Sequence, residues 1–395
     1  MDVSNAFLQG ELHERIFLER PVYGLKQAPR EWHAKLASTL HSLGFSTSTS
    51  DPSLFIRTFP HMLYILAYVD NLMLLAEDST DLAAVKQALQ ARLLCKDLGE
   101  IRHYLGMEIR RDRVARTISL SQSFYIHSIL ERFEMSQAKP VSTPLPANHQ
   151  LAAPAVPAPS SELRPYPELV GSLMYAMMCT RPDLACPLSV LSRFVGLGRH
   201  IDMHWAAAKR VLRYLRATSD LALTLGGTSP PMFSGYIDSS YADSRPDRRS
   251  SQGYGLTLGS GLISWHSTRS SSVCLSTCKT ELYAGTLADQ EARWLSFLLA
   301  ELGHSQPSVT LSCDSASMIH LTENPVYHAR IKHIEVHYFF VHELVQSGFL
   351  CLRKVAATAN LTDIFTKALL RTPHRFYVRA LGLICLATSG GVPVP

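Results

Sequence analysis

The sequence holds little that would mark a secreted, membrane-spanning or zinc-finger protein. Eight of its 395 residues are cysteines, at 95, 179, 186, 274, 278, 313, 351 and 385, and no two form a CxxC pair. A zinc site or disulfide framework needs tighter, repeated spacing, so they read as reduced thiols of an intracellular protein. No apolar run approaches the ~20 residues that cross a bilayer; MLYILAY (62–68) is typical of the longest. Met1 is followed at once by Asp2, without the basic and apolar regions of a signal peptide. The expectation is a protein of cytoplasm or nucleus with no membrane partner. Charged residues reach only 18%, below the ~25% usual in soluble proteins, and hydrophobic residues at 46% exclude a disordered chain. Neither charge sign dominates: 38 Lys and Arg face 33 Asp and Glu, a net of +5, which alone is weak evidence for a nucleic-acid partner.

Local charge says more. Arg110, Arg111, Arg113 and Arg116 cluster within seven residues, as do Arg245, Arg248 and Arg249; either group suits phosphate contacts or a solvated loop equally. Lys209, Arg210, Arg213 and Arg216 recur at spacings of one to four, which sets them on neighbouring faces of a helix over 204–216 and makes them the best helical candidates for phosphate contact.

What is there divides at a proline-rich stretch. Eight of the 22 prolines fall between Pro140 and Pro167, interleaved with Ala and Ser and with no helical or strand period, as in an extended linker. Before it, LYILAYV (63–69) and LMLLAE (72–77) flank Asp70-Asn71 as two strands of a hairpin. Residues 79–95 read as a helix with Ser79 and Thr80 as N-cap candidates, 117–120 as a strand and 122–132 as a helix. After it, 168–178 and 204–216 read as helices. From 233 three short strand-like pieces precede a long helix (280–302), a strand (308–313), helices near 315–322 and 329–346, a strand (349–355) and a final helix near 361–369. That order predicts a mixed α/β sheet flanked by helices.

Four carboxylates stand at element ends in this last region: Asp238, Glu281, Asp314 and Asp363. Singly, each suits a cap or a turn. As a set on strand ends and facing helices, they can hold two Mg²⁺ ions about 3.5–4 Å apart for phosphodiester hydrolysis. Asp2 and Asp70, on two early strands, form a second set suited to nucleotidyl transfer.

The blocks MDVSNAFLQGEL, YGLKQAPREWHAKL, LAYVDNLMLLAED, KDLGEIRHYLGMEI, VGSLMYAMMCTRPDLA, AAKRVLRYLRATSDLAL, YIDSSYADSRPDRRSSQGY, STCKTELYAG and NLTDIFTKAL, in this order, carry a resemblance from residue 1 to about 370. The chain resembles the C-terminal part of the Pol polyprotein of copia-type LTR retrotransposons, a reverse transcriptase followed by ribonuclease H. The resemblance implies a partial reverse-transcriptase palm over 1–139, the linker over 140–167, a helical thumb or connection over 168–229, a ribonuclease H-like domain with a mixed five-stranded sheet over 230–370 and a tail over 371–395. It implies polymerase metal ligands at Asp2 and Asp70, a screen of the sugar 2′-position at Phe7, template and nucleotide contacts at Lys26 and Gln27, and a four-carboxylate metal site for two Mg²⁺ at Asp238, Glu281, Asp314 and Asp363. RNA–DNA hybrid and other retroelement proteins are the implied partners. His333 also matches the family; with His328 and His337 it suits packing better than a metal cluster, for want of a fourth ligand.

Departures from the family matter. The second Asp of the paired-Asp hairpin is Asn71, which keeps the size and loses a charge beside divalent cations. About twenty family residues are missing where Pro21 runs into Val22, and the sequence starts at the first catalytic Asp, without fingers. Lys279 stands where relatives often carry an acid. The expectation is an inactive polymerase part, whose half palm leaves sheet edges exposed, beside a ribonuclease H part with its carboxylates intact. The alternative is a catalytically dead relic or a co-opted nucleic-acid-binding module.

Overall fold

The computed structural model describes residues 1–4, 6–9, 26–152, 164–196, 201–228, 232–244, 247–323 and 335–386. The chain forms two compact units, one of Met1–Tyr104 with Trp294–Gln306, the other of Leu105–Arg293 with Pro307–Pro395. Among the described residues no helix is long and apolar enough to cross a membrane.

In the first unit β1 (Asp2–Val3) and a 3-10 turn (Ala6–Gln9) precede α1 (Ala28–His41), β2 (Ser46–Thr47), β3 (Leu54–Arg57), β4 (Leu63–Tyr68), β5 (Asn71–Ala76), α2 (Ser79–Arg92), β6 (Cys95–Lys96) and β7 (His103–Tyr104). Six of the strands make one antiparallel sheet ordered β2-β3-β4-β5-β1-β6. Trp32, Leu36 and Leu40 repeat every four residues on α1 and bury that stripe against Phe55, Leu63 and Ile65 of the sheet. The hairpin predicted around Asp70 is β4–β5, paired from Leu63↔Ala76 to Tyr68↔Asn71. The N-cap of α2 is Asp78, whose carboxylate accepts the Asp81 N–H at 2.7 Å, rather than Ser79 or Thr80; an ionised acceptor at the positive helix end outcompetes a hydroxyl one residue later.

The second unit continues with β8 (Met107–Asp112), β9 (Thr117–Ser121), α3 (Ser123–Arg132), α4 (Tyr166–Cys179), α5 (Ala185–Leu191), α6 (Asp202–Ala217), β10 (Leu221–Gly226), β11 (Phe233–Ser240), β12 (Ser251–Leu258), β13 (Gly261–Arg269), α7 (Thr277–Glu301), β14 (Val309–Cys313), α8 (Ala316–Glu323), α9 (Glu335–Gln346), β15 (Leu350–Lys354), α10 (Asp363–Thr366), α11 (Arg371–Ala380) and β16 (Leu383–Cys385). Helix α7 passes into the first unit from Trp294 onward. One sheet of this unit runs β13-β12-β11-β14-β15. Its β11, β12 and β13 are antiparallel and β14 and β15 join in parallel, the mixed five-stranded sheet predicted over 230–370. A second sheet carries β8, β9, β10 and β16 side by side. Helices α3, α4 and α6 close a core through Ile126, Ile129, Leu169, Leu173, Val211 and Leu215.

Two boundaries differ from the sequence expectation because of long-range pairing, and two elements differ in extent. Residues 105–139 belong with the second unit, since β9 pairs with β10 from Leu120↔Leu223 to Thr117↔Gly226. Within 371–395 the described residues 371–386 form regular elements: α11 packs and β16 pairs with β10, with Tyr377, Leu381 and Leu383 in a core shared with Leu262 and Phe365. In the linker, 140–152 has no regular element, yet Thr143 and Leu145 are buried, and α4 already begins at Tyr166. The final helix shrinks to four residues, Asp363–Thr366.

An ion pair with no exposure ties the helical region together. Arg181 and Asp183 are each 0% exposed in the bend between α4 and α5. The guanidinium grips the carboxylate through Nε (2.9 Å) and Nη2 (2.7 Å) and donates to the Thr218 carbonyl (3.0 Å) and hydroxyl (2.8 Å) at the end of α6. The Tyr214 hydroxyl adds a 2.6 Å bond to Asp183. With every charge satisfied the pair is tolerable in the interior; with one partner gone it is not. Arg181→Met is expected to lower the unfolding free energy by about 3–5 kcal/mol, read as a lower midpoint in urea denaturation.

Candidate metal centre

The centre is built where the mixed sheet changes from antiparallel to parallel. Strands β11 and β14 are in register at Tyr236↔Ser312, so Asp238 and Asp314, each two residues further on, emerge level and on matching faces of neighbouring strands. Asp238 lies inside β11 opposite Gly253, and Asp314 directly follows β14. Glu281, in the second turn of α7, faces them. Among the described residues these three form a group whose ligand oxygens all lie within 4.8 Å of one another. Asp238 and Glu281 are buried, Asp314 half-buried.

Such crowding shows in the protonation chemistry. Burial, then the charge of Asp238, pushes the Glu281 carboxyl up to about 8. Burial likewise raises Asp238, against the pull of Lys367. Glu281 Oε2 is buried without a hydrogen-bond partner. Oxygen donors in this number, one of them orphaned and all costly to charge together, fit a hard divalent cation.

The fourth predicted ligand, Asp363, lies outside that group. It opens α10, with Oδ1 2.5 Å from Lys367 Nζ and Oδ2 3.5 Å from the Tyr377 hydroxyl. Lys367 Nζ is also 3.4 Å from Asp238 Oδ2, an atom that accepts the Thr366 hydroxyl as well. Burial opposes the Lys367 charge, but Asp238 and Asp363 more than offset it and hold the ammonium well above the ordinary lysine value. Two glycines let α10 come down on the sheet: a Cβ on Gly253 would meet Phe365 Cβ at 2.8 Å, and one on Gly255 the Phe365 ring at 2.9 Å. Buried Asn360 fixes the approach by donating to the Ile237 carbonyl at 2.8 Å. The sequence reading missed Lys367, Thr366 and Asn360; the one readable signal was the four-residue spacing of Asp363 and Lys367.

Of the predicted polymerase residues, Asp2, Asp70 and Asn71 are neighbours in the first unit. Asp2 pairs with Asn71 across β1 and β5, and the Val3 N–H donates to the Asp70 carbonyl at 2.8 Å. The Asn71 amide donates to Asp70 Oδ1 at 2.9 Å, so the residue in place of a second carboxylate occupies an oxygen of the first. Trp32 Nε1 holds the hairpin turn through the Val69 carbonyl at 2.6 Å. Lys26 is exposed and Gln27 half-buried ahead of α1. Phe7 lies in the 3-10 turn, its side chain outside the described residues.

The cations of α6, expected to face phosphates, have partners within the chain. Arg210 donates to the Thr143 hydroxyl (3.1 Å), Arg213 to the Lys139 carbonyl (2.6 Å) and Arg216 to the Ala138 carbonyl; Lys209 lies 5.8 Å from the centre of the Trp205 ring. These three guanidiniums strap the 138–143 segment to the helix, because two of its carbonyls and the Thr143 hydroxyl offer acceptors that a helical period does not reveal. Arg249 and Arg269 share Asp247 at 3.6 and 2.6 Å, while Arg245 lies outside the described residues. So do His328 and His333; His337 packs 4.4 Å from the Tyr283 ring, and Lys279 lies 5.4 Å from the same ring.

The shift of Glu281 carries a pH dependence. Its carboxyl binds a proton more tightly folded (about 8) than at its ordinary 4.5, so without metal the contribution of this group to stability is fully present below pH ~4.5 and is lost as pH rises toward 8. Glu281→Gln is expected to remove that loss, on the order of a few kcal/mol, measured by denaturation in EDTA at pH 5 and pH 8.

The reverse transcriptase (RNA-dependent DNA polymerase) family matches residues 18–147. The Pol polyprotein of transposon TNT 1-94 from Nicotiana tabacum is 39% identical over 408 residues, covering 97% of this chain and 30% of its own length. That of transposon RE2 from Arabidopsis thaliana is 35% identical, over 99% of this chain and 28% of its own length. The chain thus spans less than a third of these plant polyproteins. It also covers 92% of a transposon Ty5-1 protein of Saccharomyces cerevisiae, at 31% identity over 68% of its own residues. Among solved structures, a foamy viral protease-reverse transcriptase in complex with RNA/DNA hybrid overlaps 90% of this chain and 43% of its own with a TM-score of 0.51 at 12% identity, a likeness of fold. With nearly the whole chain matched by the plant polyproteins, 92% of the Ty5-1 protein covered at 31% identity and residues 18–147 matching the reverse transcriptase family, the chain belongs to the Pol family of copia-type retrotransposons.

Proposed function

We propose that the chain binds RNA–DNA hybrid and cleaves its RNA strand with Mg²⁺ held at Asp238, Glu281 and Asp314, while its polymerase part does not extend primers. The observation that carries the hydrolytic reading is the convergence of three carboxylates within 4.8 Å, with one buried oxygen unpartnered. Bound there, Mg²⁺ supplies Lewis-acid activation of water and neutralises charge on the departing oxygen. Asp238 and Glu281 would hold the ion from the buried side, and half-buried Asp314 would complete its ligands while leaving the centre open to a phosphodiester. Burial around Glu281 lowers the local dielectric and strengthens each of these contacts. The hybrid as partner draws support from the foamy viral relative in fold, which is solved with RNA/DNA hybrid.

For the polymerase part, Asn71 supplies no charge and donates to Asp70, so fewer carboxylate oxygens face a cation. Purified chain with labelled hybrid should cleave RNA in Mg²⁺ and not in EDTA. Asp314→Asn should cost more than the roughly 10–100-fold that outer-shell partners cost; undiminished cleavage in that variant overturns the site. Salt-dependent binding of hybrid without turnover would make the chain a binding module instead. Primer extension is expected to be absent, and Asn71→Asp alone not to restore it, because the residues missing between Pro21 and Val22 remain missing. Recovery by that single change would show their loss to be harmless.

A further inference from the structure

The two sides of the carboxylate centre are unequal. On one side Glu281 Oε2 is buried with no partner and Asp314 stands half-buried beside it. On the other, three oxygens are engaged by the protein: Asp363 Oδ1 by Lys367, Asp363 Oδ2 by the Tyr377 hydroxyl, and Asp238 Oδ2 by both Thr366 and Lys367. The Lys367 side chain is 40% exposed, yet its ammonium is paired with both carboxylates. It is held at the end of α10, where the Lys367 N–H donates to the Asp363 carbonyl at 2.9 Å and the backbone turns extended, and α10 itself is pressed on β12 by the close approach at Gly253 and Gly255.

We propose that Lys367 is a built-in counter-cation of this centre, its ammonium standing between Asp238 and Asp363 where a second divalent ion would have to bind, so that the centre takes one divalent ion, at Asp238, Glu281 and Asp314. This rests on the reading of the centre as a metal site. A side-chain ammonium placed between two carboxylates satisfies both at once and costs no ion capture; a divalent ion entering there must expel it and break its 2.5 Å bond to Asp363. The Asp238–Asp363 side is then closed, while the orphaned oxygen of Glu281 keeps the other side open. Lys367 is on this view a positioning residue that sets how many ions the centre accepts and how it is neutralised when empty.

The test counts bound Mn²⁺ by electron paramagnetic resonance on the full chain stripped of metal, with circular dichroism to confirm folding. Lys367→Met is expected to bind one more Mn²⁺ per chain than the wild type, Lys367→Arg the same number as the wild type, and Lys367→Met combined with Asp363→Asn to lose the gain. In EDTA, Lys367→Met should melt at lower temperature than the wild type and regain more on adding Mn²⁺. Asp363→Asn in the wild-type background should leave the count unchanged, so the proposal stands or falls even if Lys367→Met does not fold. An unchanged count and affinity in Lys367→Met, or a count reduced by one in Asp363→Asn, overturns it. A wild-type count that Glu281→Gln leaves untouched would instead overturn the metal-site reading beneath it.

Discussion

Carboxylates packed within 4.8 Å of one another beneath a protein surface cannot all keep their charge unless something positive joins them. Much of the second unit follows from that constraint. The parallel junction of β11 and β14 sets Asp238 and Asp314 level, α7 brings Glu281 over them, and Glu281 answers by holding its proton to about pH 8. Lys367 and Thr366 answer on the other side, delivered by a four-residue helix that two glycines allow to touch the sheet. The centre is therefore costly to fold without a cation, a cost borne by the surrounding core.

That core is not confined to one stretch of chain. Arg181 and Asp183 join the bend between α4 and α5 to the end of α6. The C-terminal pieces α11 and β16 then tie β10 to α10 through Leu381, Leu383 and Phe365. The helical connection and the mixed sheet thus belong to one compact unit, and α10 takes its place beside the carboxylate centre partly from residues that read as a tail.

Much of the local structure was legible. The unbroken apolar runs at 63–69 and 72–77 gave the β4–β5 hairpin, and helical spacing gave α2, α3, α6 and α7 within a few residues. Order of elements alone pointed to the mixed sheet. The charged side chains were less legible. The row Arg210, Arg213 and Arg216 looked free because periodicity shows which face a residue is on and not what lies over it; the 138–143 segment lies there. Lys367 went unremarked because, eighty-six residues after Glu281, it looks like one more surface lysine at a helix end.

By itself the sequence determined the family, the order of its strands and helices, the four acidic positions of the last region and the exchange of a carboxylate for Asn71. These are chemical identities and short-range periods, which a linear chain carries openly. Tertiary structure alone decided that Asp238, Glu281 and Asp314 meet while Asp363 turns to Lys367, that Glu281 prefers its proton, and that Arg210, Arg213 and Arg216 bond to the 138–143 segment. Those outcomes depend on distance and burial between residues far apart in the chain, and electrostatic energy, falling with separation and dielectric, exists only once the fold has set both.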